Sequence, residues 1–244
     1  MTASLPVRDT GLRARRRWMD EGTAMVLGAV ESLDDEALAD PVELPGWTRR
    51  HVLAHLAANA DALTRLAGWA RTGRENPMYS SPQQRADEID AGSALPAAQL
   101  RRWLRESAAT LKAALDALSG PEWSHEVITA QGRLVPATEL PWLRAREVMV
   151  HAVDLAAGIT FAGLPPDFTA ALVDDVAAKR SRSPGPALTV SRTDGTTSWP
   201  IAGSGTPVHV AGTLADIAAW LTGRPAAGLG TADGRGAPHL PAWL

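Results

Sequence analysis

The chain has 244 residues, 45% of them hydrophobic, and a formal net charge of −3; it is long enough for one large domain or two ordinary ones, and that balance gives no general attraction to nucleic acid or anionic lipid. It contains no cysteine, which excludes disulfides, cysteine-ligated zinc or iron–sulfur clusters and a cysteine nucleophile, so any thiol chemistry must use sulfur brought in by a cofactor or substrate. The polar start from Met1 to Arg8 holds no long apolar run, so neither a signal peptide nor a membrane anchor is expected, and a cytoplasmic monomer is.

Leu12, Trp18, Met25, Val26, Val30 and Leu33 recur at helical spacing and predict a first helix from about Thr10 to the Leu33 region. Its arginines at 13, 15, 16 and 17 are followed by Asp20 and Glu21 and read as a solvated face. Leu44-Pro45-Gly46-Trp47 reads as a turn, after which Thr48 caps a second helix running to Trp69 or Ala70. That helix carries His51 and His55, offset from each other by about 40° at 100° per residue, so either can reach inward. His55 lies deeper and shares a face with Val52, Asn59, Leu63 and Leu66, whereas His51 is expected to be wet in the first turn beside Arg49 and Arg50.

Between Thr72 and Ala94 the composition is polar and predicts a long connection of the kind that covers a site. Arg85 within it is either an anion contact or a solvated loop arginine. A third helix is predicted from about Pro96 to Leu118 on the spacing of Leu100, Leu104, Leu111, Leu115 and Leu118, ended by Ser119-Gly120-Pro121. The segment from Trp123 to Pro136, with Gln131-Gly132-Arg133, reads as a second long connection. Thr138 and Glu139 then open a fourth helix, which Gly158 closes.

In this fourth helix Glu147 and His151 stand four residues apart, one above the other on a single face. Leu143, Val148, Val150, Val153 and Leu155 surround them, so part of that face is expected inside the fold. An ionised carboxylate there is costly unless something neutralises it, and a divalent cation would do so. Alone, such a pair is more often a surface contact or a satisfied polar pair. A third ligand changes the balance. Four long helices with one short and two long connections describe a bundle, and bundle metal ligands project from facing helices into the core. His55 together with Glu147 and His151 gives three N/O ligands and one open position, the arrangement of catalytic rather than structural zinc. Asp154 is either a partner for the second ring nitrogen of His151 or a surface carboxylate near the helix end.

After Gly158 the texture changes. Pro165-Pro166-Asp167 opens a short helix up to Lys179, Arg180 and Arg182; Leu188 to Ser191 and Thr197 to Trp199 flank Asp194-Gly195 as a hairpin; and Val208-His209-Val210 is a third strand. Thr213 caps a helix from Leu214 to Leu221 that ends at Gly223, and Gly228 to Pro238 is expected to be irregular. The chain therefore divides into a mainly α helix bundle, residues 1–160, and a small α+β domain, residues 161–244. Arg224 stands just beyond the last helix, where the helix dipole alone favours a cation, so the local sequence assigns it a structural place.

Gly46-Trp47-Thr48 followed by His51-Val52 and His55, Asn76-Pro77-Met78-Tyr79, Trp123-Ser124-His125-Glu126-Val127, Thr129-Ala130-Gln131-Gly132-Arg133, Arg146-Glu147-Val148 with His151 to Leu155, and the closing Pro241-Ala242-Trp243-Leu244 together resemble the mycothiol-dependent maleylpyruvate isomerase family, within the wider DinB-like thiol-dependent metalloenzymes. The resemblance implies a DinB-like four-helix bundle with an added C-terminal α+β domain, a bound zinc or other divalent ion, and mycothiol as cofactor. Carried over position by position, its metal ligands fall on His55, Glu147 and His151, and its catalytic arginine falls on Arg224. The implied reaction is cis–trans isomerisation of a small dicarboxylate by reversible thiolate addition to the alkene. Arg85, Arg133 and Asn59 are then candidates for contacts to the substrate and cofactor. Two rivals stay open at this point: a mycothiol S-transferase acting on other electrophiles, and a non-enzymatic binding module stabilised by the metal.

Overall fold

The computed structural model describes residues 11–231, 234, 236–241 and 243; expectations that fall on Met1 to Thr10, on Ala242 and Leu244, and on part of the Gly228 to Pro238 tail lie outside the described residues. The chain divides into two compact units at Ile159/Thr160.

In the first unit the apolar stripe of α1 (Leu12–Glu31) packs against α5 (Leu140–Asp154). Trp18, Met19, Val26 and Val30 are buried in it, and Trp18 meets Trp142 edge-on at 5.8 Å between ring centroids. A Cβ on Gly22 would lie 2.5 Å from Val148 Cγ2, so the absence of a side chain sets how closely these two helices approach.

The centre of the unit is α2 (Arg49–Thr72), which packs on α3 (Pro82–Ser93), α4 (Ala97–Asp116) and α5. Every residue from Val52 to Ala60 is buried, as expected of a helix enclosed on all sides; Ala54, Ala57, Ala58 and Ala60 supply little bulk, which lets neighbours close in around it. Its start is fixed by Thr48, extended at φ −111° and ψ 172°, and its end by Gly73 at φ 70°, a left-handed cap that glycine adopts without steric cost. Arg49, at its first turn, donates to the carbonyls of Leu155 at 2.7 Å and Ala156 at 3.3 Å, where α5 ends. A cation there satisfies carbonyls that the terminating helix leaves unpaired. The helix α5 stops at Asp154, ahead of the left-handed Ala156 at φ 50°, and Gly158, at φ 86°, belongs to the turn that follows rather than closing the helix itself.

Two expected connections contain regular structure. Residues Pro82–Ser93 form a helix, α3, within the segment read as a long loop. Ser81 Oγ accepts from Gln84 N–H at 3.1 Å and Pro82 occupies the first turn, a strong start signal. The helix escaped detection because only Ile89 and Gly92 are buried, too few for an apolar stripe. Likewise β1 (Glu126–Ile128) and β2 (Leu134–Pro136) form an antiparallel hairpin in the second expected connection, turning through Gly132 at φ 72°. The remaining long helix, α4 (Ala97–Asp116), buries Leu100, Leu104, Leu111 and Leu115. The architecture is mainly α, with α1, α2, α4 and α5 as the four long helices of the bundle and α3 added beside α2.

The second unit contains α6 (Pro166–Arg180), α7 (Leu214–Leu221) and a four-stranded sheet. Strands β3 (Pro186–Arg192) and β4 (Ser198–Ile201) pair antiparallel across the Asp194-Gly195 turn, and β5 (Ser204–Gly212) lies parallel to β3. The last strand, β6 (Gly230–Thr231), pairs with β5 inside the tail expected to be irregular. Thr213 caps α7 through its side chain, which accepts from Asp216 N–H. Among the described residues no helix is long and apolar enough to cross a membrane.

Candidate metal centre

Buried α2 delivers His55 to the bundle interior with 4% of its surface exposed. Opposite, α5 presents Glu147 and His151 one turn apart. His55 Nε2 lies 2.9 Å and His151 Nε2 3.4 Å from the same carboxylate oxygen, Glu147 Oε2. One ligand atom from each residue falls within 4.8 Å of the others, and among the described residues this group has three members. The two imidazoles meet edge to face, 4.8 Å between centroids.

The second nitrogen of His151 is also accounted for. Asp154 Oδ2 lies 2.7 Å from His151 Nδ1, and Asp154 is buried rather than at the surface. An ionised carboxylate accepts only, so Nδ1 carries a proton, and Nε2 is the nitrogen turned toward Glu147. His55 differs: its Nδ1 faces Arg85 Nη2 at 3.4 Å.

Burial by itself would push the Glu147 carboxyl up, but hydrogen bonds from His151 and His55 outweigh it and hold the group well below the usual carboxylate range. Burial pushes the His55 imidazolium down, more than its hydrogen bond to Glu147 raises it. For His151 burial acts downward too, yet the hydrogen bonds to Asp154 and Glu147 prevail and its pKa is raised. Near neutral pH the site thus offers an ionised oxygen, half-buried, and a neutral imidazole, buried, that converge on one point. That donor set fits a divalent cation such as zinc, and two nitrogens with one oxygen leave further coordination open.

The other residues singled out in the sequence divide clearly. Arg85 lies on α3 rather than in a loop, half-buried, with its Nη2 3.4 Å from His55 Nδ1. Asn59, one turn beyond His55, is buried and its Oδ1 accepts from Arg144 Nη1 at 2.8 Å. Arg133 is exposed in the β1–β2 turn, and among the described residues its guanidinium makes no hydrogen bond or ion pair. Arg224 belongs to the second unit, where its Nη1 donates to the Thr222 carbonyl at 2.6 Å just after α7. His51 is half-buried rather than wet: its Nδ1 accepts from Thr48 N–H at 3.1 Å, so it closes the cap of α2.

Three residues were missed by sequence reasoning. The Trp47 ring lies 5.6 Å from His55 and 6.5 Å from His151, centroid to centroid, and forms an aromatic wall beside both. Tyr79, the single tyrosine, has its hydroxyl pKa raised by burial against the opposing charge of Arg85, and the Arg65 guanidinium lies 5.7 Å from its ring. Arg144 is 1% exposed; its signal was a charged residue three before Glu147 on an otherwise apolar helix face.

The family model described as the mycothiol maleylpyruvate isomerase N-terminal domain matches residues 18–156. A crystal structure of the mycothiol-dependent maleylpyruvate isomerase is 38% identical over 98% of this chain and 100% of that chain, with a TM-score of 0.93. A structure of a histidine-to-alanine mutant of the mycothiol-dependent maleylpyruvate isomerase is 37% identical, with the same coverage and TM-score. No curated protein matches. By the family match across the bundle and the whole-chain likeness together, the chain belongs to the mycothiol-dependent maleylpyruvate isomerase family of enzymes.

Proposed function

We propose that this chain converts maleylpyruvate to fumarylpyruvate with mycothiol as its thiol cofactor, and that His55, Glu147 and His151 hold the divalent ion, zinc by donor set, that the reaction uses. The observation that carries this reading is the convergent cluster of two imidazoles and one carboxylate on α2 and α5, with His55 buried and Glu147 and His151 half-buried, in a chain with no thiol of its own. Bound there, the cation supplies the Lewis acidity that turns the cofactor's thiol into a thiolate, whose reversible addition to the alkene permits rotation about the carbon–carbon bond.

The chain's own groups have separable tasks. Glu147 stays ionised and balances the cation's charge, while Asp154 keeps the His151 lone pair aimed inward. Trp47 covers one side of the cluster with an apolar ring and limits water there. Arg85, beside His55, supplies positive charge for one substrate carboxylate, and Asn59 supplies a neutral contact one turn away. Arg133, exposed on its hairpin, is the weakest of the binding residues. On the family resemblance alone, Arg224 is the catalytic arginine that stabilises negative charge developing on the substrate carbonyl, an effect worth about 3 kcal/mol by analogy with a lost oxyanion-hole donor. A cytoplasmic monomer acting on a small dicarboxylate belongs to the same proposal.

The test follows maleylpyruvate loss by purified protein with and without mycothiol, before and after chelation. Turnover is expected only with the thiol and the metal together. Equal turnover of a neutral electrophile would point instead to mycothiol S-transfer, and activity that survives complete chelation would overturn the metal assignment.

A further inference from the structure

Helices α2 and α5 are joined by two polar rungs. The first is the cluster of His55 with Glu147 and His151; the second, one turn along, pairs Asn59, four residues after His55, with Arg144, three residues before Glu147. Arg144 is 1% exposed. Its Nη1 donates to the Leu56 carbonyl at 2.7 Å and to Asn59 Oδ1 at 2.8 Å, and among the described residues its buried Nη2 has no hydrogen-bond partner. Burial lowers its pKa to about 10, so it is still a cation at neutral pH. A buried guanidinium with an unused donor is a costly way to hold two helices together, which argues for a role beyond packing.

The chemistry of the pair fixes an orientation. A guanidinium can only donate, so Asn59 can meet it only through Oδ1, and the amide nitrogen must face away. That nitrogen has no hydrogen-bond partner among the described residues, and Asn59 retains 7% exposure. It stands one helical turn from His55 on the same face of α2. The cation behind it polarises the amide and strengthens it as a donor.

We propose that Arg144 is a positioning residue that locks the Asn59 side chain so that its NH2 group donates to a negatively charged acceptor of the ligand bound beside His55. The identity of that ligand, substrate carboxylate or cofactor thiolate, rests on the isomerase reading above.

Asn59→Asp separates the two roles of the amide. A carboxylate still accepts from Arg144, so the second rung becomes an ion pair, but the outward donor is gone. The variant should keep the wild-type denaturation midpoint or exceed it and retain its zinc, while at least one Michaelis constant rises about tenfold or more. A rise confined to maleylpyruvate assigns the acceptor to the substrate, and one confined to mycothiol assigns it to the thiol; both support the donor. Arg144→Met should raise the same constant, and adding Asn59→Ala to it should change that constant by less than about twofold, since the two residues act as one. Calorimetric binding of maleate to the zinc-loaded protein gives a readout independent of turnover. If Asn59→Asp is stable and leaves both Michaelis constants and maleate affinity at wild-type values, the proposal is overturned, whether or not Arg144→Met folds. A wild-type protein that binds maleate without isomerising maleylpyruvate would instead remove the isomerase reading and leave the Asn59 donor testable by binding.

Discussion

Asp154 Oδ2 lies 2.7 Å from His151 Nδ1 in the last turn of α5, and this contact fixes which nitrogen of His151 faces Glu147. Partners of this kind orient a metal-ligating imidazole and raise its basicity, and their loss weakens metal binding by about 10–100-fold. Asp154→Ala is expected to show a loss of that size in a competition titration against a chromophoric chelator, with one ion still bound at saturation. Unchanged affinity would mean that Asp154 has no hold on the site.

His51 and His55 differ by one turn and should differ in consequence. His51 accepts from the Thr48 N–H and so completes the start of α2; His51→Ala is expected to cost about 1 kcal/mol, the usual effect of losing a helix cap, with metal content unchanged. His55→Ala is expected to lose the metal. Urea denaturation and metal analysis of the two purified variants make the comparison, and loss of metal from the His51 variant would contradict it.

Metal affinity should weaken as pH falls, because protons compete for ligand lone pairs. The hydrogen bonds to Asp154 and Glu147 raise His151 above its ordinary value of 6.5 despite burial, so the proton on its ligating nitrogen is held at a pH where a free histidine has already lost it. Affinity is therefore expected to begin falling above that ordinary value as the pH is lowered, while Glu147, held well below the carboxylate range, stays ionised throughout. Removing Asp154 should move the fall to lower pH. Chelator competition between about pH 8 and pH 5.5 covers the window in which histidine titrates.

A Cβ at Gly92 of α3 would lie 2.5 Å from Trp103 and 2.9 Å from Ala54 of α2. Gly92→Ala is thus expected to push α3 outward at a cost of about 1–3 kcal/mol, as overpacking does, to carry Arg85 away from His55, and to raise the Michaelis constant for the dicarboxylate. Gly68 of α2 has nothing within 4 Å of its added Cβ, so Gly68→Ala should be neutral or stabilising by up to about 1 kcal/mol. Thermal denaturation with steady-state kinetics distinguishes the two.

Local signals carried much of this architecture. Thr48 and Gly73 punctuate α2, Thr213 punctuates α7, and the leucines of α4 fall on one face. The helix α3 has a start signal in Ser81 and Pro82 but no apolar stripe, because its outer surface is polar and one of its two buried residues is a glycine. The β1–β2 hairpin was hidden for a similar reason: each strand is three residues long, and Leu134, 59% exposed, carries apolar character on the wrong side. At the site, the spacing of Glu147 and His151 pointed to a metal only once His55 on the facing helix was added as a third ligand. What Trp47, Arg144 and Asp154 do depends on cross-helix register and on burial, which spacing along one helix does not encode.

The central claim is that the three residues hold one ion with a coordination position free for the cofactor's sulfur. Zinc K-edge X-ray absorption on the loaded protein, before and after mycothiol is added, tests it directly. The expected result is a first shell of nitrogen and oxygen at about 2.0–2.1 Å that gains one sulfur at about 2.3 Å when the thiol binds. A first shell that stays free of sulfur at saturating mycothiol would contradict the claim.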